Sequence, residues 1–240
     1  MRLSILLVFY ASTTFTVQGF QQDTVIVLKD KKDLLPIGRF VNYHEDRGAR
    51  QSIHQIVSND VQQEFKRYTK QVYTSKASGS AVWFKVIVQN KTGEDIWLST
   101  GGNVCWYIDF YRPVGSGYDS VKTGGLRPVT TREYPVNFFW LKLADKSDTI
   151  VRTCYVRLET GLTQEFFLQA GTIQALVKDK EGYDFLTAAF VGLMTIMILY
   201  NLFLAFAARD KIYVTYVVYL VSVLITITFA NGYPFTDNPW

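Results

Sequence analysis

Two uninterrupted apolar runs lie near the end of the chain. Residues 185–208 hold 24 positions without a charge, and residues 212–230 hold 19 more. Only Arg209, Asp210 and Lys211 part them. A helix rises about 1.5 Å per residue, so the first run reaches roughly 36 Å, enough to cross a hydrocarbon core of about 30 Å with some tilt. Helices of soluble proteins keep a polar face, and neither run has one. The pattern therefore predicts a tight transmembrane hairpin, with spans at 185–208 and 212–230 and an outer tail over 231–240.

Upstream the period shortens to two. In Ala81–Asn90, Val82, Phe84, Val86 and Val88 share one face, while Trp83, Lys85, Ile87 and Gln89 share the other, which predicts a strand. Further strands are predicted at 25–28, from Ile96, at 104–111, 138–143, 150–159 and 165–169, and Phe40-Val41-Asn42-Tyr43 leads into the polar group His44-Glu45-Asp46. Residues 112–125 hold one Pro and four Gly and read as a loop. Between 58 and 70 the spacing changes: Val61, Phe65 and Tyr68 at i, i+4 and i+7 predict one short helix, with Ser58 or Asn59 as its cap. Turn signals every eight to twelve residues or so predict an all-β, jelly-roll-like sandwich over 20–170. No helix alternates with the strands, which excludes a parallel α/β sheet. Residues 171–184, ending in Lys178-Asp179-Lys180-Glu181-Gly182, read as a juxtamembrane connector.

The N-terminus reads as a signal peptide over 1–19. Arg2 is the basic start, 3–15 the apolar stretch, and Val17-Gln18-Gly19 offers a cut before Phe20. The rival is a short uncleaved anchor. With the β-domain exported, the first span runs inward and the second back out, and Arg209 and Lys211 lie inside. The tail over 231–240 carries no Lys or Arg, as an outer segment should. The expected place is a bacterial inner membrane, multi-pass, with the N-terminal domain periplasmic. Cys105 and Cys154 fall in that exported domain, where a disulfide would persist. Alternation places them on opposite strand faces, so two separate thiols are expected.

Composition changes this picture little. The net charge is +4 and the bases are scattered, so there is no electrostatic footprint for nucleic acid. The two histidines, His44 and His54, belong to no HExxH motif, and paired Cys ligands, GxSxG, P-loop and GxGxxG are absent. No metal, no cofactor and no enzymatic activity are expected. His44-Glu45-Asp46 reads as a solvated turn, with a metal site as the rival.

The chain is rich in rings: 5 Trp, 15 Tyr and 17 Phe. Flat rings beside fixed polar groups suit sugars. Tyr107, Asp109 and Tyr111 share the face opposite Trp106, Ile108 and Phe110, and with Arg132 they are the candidate ligand-binding residues. Their competing reading is core packing. Asn90-Lys91-Thr92 matches a glycosylation sequon in a turn. Asn201 is the one strongly polar residue of the first span and is expected to pack against another helix, with Tyr200 and Gly192 beside it.

These residues resemble a known family. Leu199-Tyr200-Asn201-Leu202-Phe203-Leu204, Arg209-Asp210-Lys211-Ile212-Tyr213, Tyr216-Val217-Val218-Tyr219-Leu220 and Asn231-Gly232 are similar to the first two spans of the 7TMR-DISM receptors, the seven-transmembrane receptors with diverse intracellular signalling modules. Tyr43-His44-Glu45-Asp46, 83–90 with Trp97, Ile108-Asp109-Phe110-Tyr111, Thr123-Gly124 and Tyr155-Val156-Arg157-Leu158-Glu159-Thr160 resemble its type 2 extracellular sensor. The resemblance covers about residues 24 to 235. It implies a jelly-roll sensor, likened to carbohydrate-binding modules, that signals through seven helices to a cytoplasmic output module of histidine kinase, diguanylate cyclase or DNA-binding type. It carries over no ligand residues. The chain stops after two spans, so five helices and the output module are missing, by truncation or as a gene remnant. The expected partners are the bilayer, a carbohydrate or other small ligand, those further helices and that module. The competing readings are a membrane-anchored periplasmic binding or structural protein complete as it stands, and a periplasmic glycan hydrolase.

Overall fold

The computed structural model describes residues 23–75, 79–101 and 105–232. The leader expected over 1–19, Gly102-Asn103-Val104 and the tail beyond Gly232 lie outside them. In chain order the first elements are β1 (Ile26–Leu28), β2 (Leu34–Pro36), β3 (Asn42–Asp46), the helical turns α1 (Ile53–Ile56) and α2 (Asn59–Gln62), β4 (Lys66–Arg67) and β5 (Tyr73–Thr74). Next come β6 (Ala81–Asn90), β7 (Ile96–Ser99), β8 (Tyr107–Val114), β9 (Gly117–Thr123), β10 (Trp140–Ala144) and β11 (Val151–Glu159). The chain continues with β12 (Glu165–Phe166), β13 (Gln169–Thr172), α3 (Ile173–Ala208) and α4 (Lys211–Ala230).

The strands form a sandwich. One sheet runs β4-β3-β6-β11-β8-β9, and β1 extends it beside the far end of β6. The facing sheet runs β10-β7-β13-β2, and β12 pairs with β5 in a small third sheet. Alternation decides what lies between the two main sheets. Val82, Phe84, Val86 and Val88 from β6 meet Ile108 and Phe110 from β8 and Val156 and Leu158 from β11. Ile96 and Leu98 of β7 and Leu141 and Leu143 of β10 close the core from the other side. Each such side chain contributes roughly 1.5–3 kcal/mol on leaving water.

The opposite face of the larger sheet is also covered. Trp83 and Tyr155 form a second buried cluster with Ile56 and Phe65, which arrive from the α1–α2 segment. This explains why the helix expected over 58–70 stops early. Ser58 does precede a helix, as the residue before α2. But Phe65 packs on the outer cluster while Tyr68 packs against Tyr43 and Tyr73 at the inner core. Those are opposite sides of one sheet, so the chain straightens between them and pairs Lys66 with Tyr43 as β4.

Other expectations change for equally local reasons. His44-Glu45-Asp46 is the end of β3 rather than a turn, with His44 and Asp46 buried. Residues 112–125 are not a loop: β8 runs on to Val114 and returns as β9 through Gly115-Ser116, with Gly115 at φ +58°. Pro113 is tolerated because the β11 ladder stops at Tyr111, while the Pro113 carbonyl accepts from Arg152 at 2.8 Å. The strand expected over 165–169 is two strands, β12 and β13, in different sheets.

Cys105 and Cys154 are separate thiols, but the face argument for them fails. Both lie in the same core, because regular alternation begins only at Tyr107. Burial pushes each thiol up to about 12. Only the thiolate alkylates readily. In the folded chain at pH 8 we expect iodoacetamide to modify neither cysteine, and both once denaturant is added. Labelling before unfolding, read by mass spectrometry, would contradict this burial.

Residues 171–184, the expected juxtamembrane connector, finish β13 and form the first turns of α3. Thr172 ends β13 and caps α3 directly, accepting from the Ala175 N–H at 3.3 Å and donating to the Lys31 carbonyl at 2.6 Å. Its neighbours in register are Ile96 and, across β7, Ala144. From that end α3 doubles back over the four-stranded sheet, burying Ala175 and Leu176. By Tyr183 it has reached Phe138, at the opposite end of the sheet, with ring centroids 5.6 Å apart. The same unbroken helix then becomes the first apolar run. Arg209 ends it in the left-handed region (φ 51°), and the Asp210 side chain accepts from the Ile212 N–H at 2.9 Å to start α4. Both α3 and α4 are long and apolar enough to cross a bilayer. Asn201 sits buried in their seam with Val217 and Leu220, donating to the Met197 carbonyl at 2.7 Å. Tyr200 and Gly192 point away from that seam and are exposed.

Candidate ligand-binding face, charged cleft and membrane junction

Register carries the sequence-predicted residues to one place. On the outer face of the larger sheet, Asp109 of β8 lies beside Arg157 of β11 and Lys122 of β9. Tyr111 lies beside Tyr155 and Ser120, and Tyr107 beside Glu159. Asp109 is buried and bridged twice, to Arg127 at 2.6 Å and to Arg157 at 3.2 Å. Arg157 also binds Glu159 at 2.5 Å and the Ala49 carbonyl at 3.0 Å. Arg127 reaches this face because Gly124, at φ +138°, lets the backbone pass against Trp106, where a Cβ would come within 2.3 Å of the Trp106 carbonyl oxygen. The Arg127 guanidinium lies over the Tyr107 ring, 5.1 Å from its centroid.

Tyr107 and Tyr111 are both half-buried. Tyr111 stacks on Trp83 at 5.5 Å, and burial raises its hydroxyl above the ordinary tyrosine range. Arg132 stands apart. It donates to the Val136 carbonyl at 2.5 Å, lies over Phe139, and has its guanidinium pKa lowered by burial. The structure thus brings together Tyr107, Asp109 and Tyr111 and leaves Arg132 out. Arg127, Arg157 and Lys122 complete the face. Arg157 was readable from the β11 alternation, since it shares a side with Tyr155; Arg127 arrives from a loop and left no periodic signal.

A second feature is a cleft of about 440 Å³ where β8, β10 and β11 meet. Its polar wall is Arg112, Glu133, Lys142, Asp145, Asp148 and Arg152. Arg112 bridges Glu133 and Asp119, each at 2.9 Å. Lys142 bridges Asp95 at 2.9 Å and Asp145 at 2.5 Å. The Lys142 ammonium holds the Asp95 carboxyl below its usual range. Arg152 pairs with Asp148. Four of these residues lie within 142–152, but Arg112 and Glu133 join them from other segments, and spacing gave no hint of that meeting. Among the described residues no group of three or more His, Cys, Asp or Glu gathers as metal ligands.

The third feature joins the β-domain to both apolar helices. Asn137, fully buried, donates from Nδ2 to the Asn231 carbonyl at 2.9 Å, just past α4. Tyr183 of α3 donates its hydroxyl to the Asn231 side chain. Phe138 meets the Tyr183 ring edge-on, and the Lys180 ammonium lies 5.8 Å from the Phe138 centroid.

Comparison with known families assigns both parts. Residues 38–171, more than half of the chain, match the profile of 7TMR-DISM extracellular 2. Residues 183–237 match the profile of 7TM diverse intracellular signalling. The chain belongs to the 7TMR-DISM family. Its sandwich is the extracellular sensor of a 7TMR-DISM receptor, and α3 and α4 belong to the receptor's transmembrane region. The protein is thus a membrane protein with the β-domain outside. A comparison with curated proteins gives no match to this 7TMR-DISM chain.

Proposed function

We propose that the ectodomain senses a carbohydrate or other small polar ligand on the β8–β9 face, and that α3 and α4 pass the signal across a bacterial inner membrane. The observation that carries this reading is the grouping on β8. Two half-exposed rings, Tyr107 and Tyr111, flank a buried carboxylate held between two guanidinium groups. Rings of this kind stack on sugar faces, while oriented polar groups choose among hydroxyl patterns. The chain acts by binding, not by turnover, and contributes the first helices of a multi-pass receptor whose output module is cytoplasmic. The grip of the sandwich on both helices favours this over an inert anchor.

The test is a glycan-array screen of the detergent-solubilised chain, followed by titration of the best sugar. Stacking contributes about 0.5–1.5 kcal/mol, so Tyr107→Ala should weaken binding by roughly three- to tenfold and lower the unfolding midpoint only slightly, through the lost Arg127 contact. Tyr111→Ala should weaken binding and lower the midpoint as well, because its ring also packs on Trp83. A Tyr107→Ala protein that binds as tightly as the parent would move the site off this face.

A further inference from the structure

We propose that the cleft between Arg112 and Glu133 is a second ligand site, that it takes a small zwitterion such as a free amino acid or dipeptide, and that its occupancy is relayed to the membrane helices through residues 132–139. This goes beyond the tyrosine face and shares no residue with it.

The lining sets the ligand chemistry. The wall carries three cations and three anions, interleaved, and no aromatic ring. A ring-free wall offers a sugar nothing to stack on. Arg112 and Glu133 are the pair that spans the cleft, from β8 to the segment before β10, and their side chains are 26% and 16% exposed. A lone anion on Arg112 strips the partly buried Glu133 of its cation, which is costly, whereas a lone cation on Glu133 leaves Arg112 with only its more exposed partner Asp119. A ligand carrying both signs replaces one ion pair with two: its carboxylate takes Arg112 and its ammonium takes Glu133. The volume of about 440 Å³ suits a molecule of that size. Val114 and Leu143 give its non-polar part an apolar floor.

The same pair ties the cleft to the bilayer. Glu133 also accepts from the Lys142 N–H at 2.9 Å, which pins its segment along β10. Four residues further on, Asn137 holds the end of α4, and Phe138 packs on Tyr183 of α3. A ligand that parts Glu133 from Arg112 leaves the near end of this strap held by the Lys142 N–H alone, while its far end grips both helices.

The full chain in lipid nanodiscs is titrated calorimetrically with glycine, L-alanine and glycylglycine. Glycinamide, with only the cation, and N-acetylglycine, with only the anion, serve as controls. At least one zwitterion should bind saturably, and its single-charge relatives about tenfold or more weaker. Glu133→Gln keeps the acceptor for Lys142 but loses the charge, and should abolish binding. Val114→Trp, at an exposed hairpin position, blocks the cleft without touching an ion pair and should do the same. The site is refuted if no zwitterion binds, if a single-charge control binds equally well, or if Val114→Trp binds like the parent. For the relay, the bound zwitterion should raise deuterium uptake over 132–139 and 227–232. In Asn137→Ala only the first stretch should respond. Unchanged uptake over 227–232 in the parent, with binding intact, overturns the relay and leaves the site standing.

Discussion

Asp109→Ala should cost the ectodomain about 3–5 kcal/mol, the loss expected when one partner of a buried ion pair is removed. The carboxylate is buried between Arg127 and Arg157, and without it two guanidinium groups lose the anion they share. Solvent screens little here, since the side chains of Asp109 and Arg157 are 10% and 11% exposed. Asp109→Asn keeps the shape and loses the charge, so it should fall between parent and alanine variant. Removing Arg157 as well, as Asp109→Leu with Arg157→Leu, should recover part of the loss, because only one of the two guanidinium groups that lost Asp109 then remains, and Arg127 keeps the Ile108 and Thr123 carbonyls. Urea titration of the chain in detergent, followed by tryptophan fluorescence, reads all three. An alanine variant within about 0.5 kcal/mol of the parent would mean the cluster is wet and carries no structural weight.

Trp83→Ala should be comparably damaging, at about 3–5 kcal/mol. The ring is fully buried between the sheet and the α1–α2 segment, in contact with Tyr111. Its loss opens a cavity under Ile56 and Phe65 that the short helical turns are too constrained to fill. Trp83→Phe should cost far less. The indole Nε1 is buried without a hydrogen-bond partner among the described residues, so the smaller ring removes an unsatisfied donor along with the volume. The two variants in the same urea titration separate packing from polarity. Equal losses for both would show that the indole itself is required.

The membrane hairpin and the central strands were legible because their signals are strong and local. Long uncharged runs gave α3 and α4 their C-terminal ends at 208 and 230, and strict alternation gave β6 at both ends. What escaped was decided by tertiary contact. The hairpin at Gly115 hid behind Pro113, whose missing donor faces a side where the ladder has already ended. The α3 start at Ile173 hid in a polar stretch that becomes helical by lying on a sheet, burying Ala175 and Leu176. For the binding face, Tyr107, Asp109 and Tyr111 followed from period two within one strand. Arg127 and the whole charged cleft did not, since they are assembled from separate segments by the register of neighbouring strands.

Because α3 has no break between Thr172 and the bilayer, its azimuth is locked to the sandwich. One residue inserted before Tyr183 would turn everything beyond it by about 100° and advance it by about 1.5 Å. Angle recovers only after about seven added residues, and by then Asn231 has been carried roughly 10 Å beyond the reach of Asn137. No change of length restores both coordinates, so the junction tolerates substitution in this rod but not insertion or deletion, and any twist applied at the sandwich end reaches the bilayer without slack.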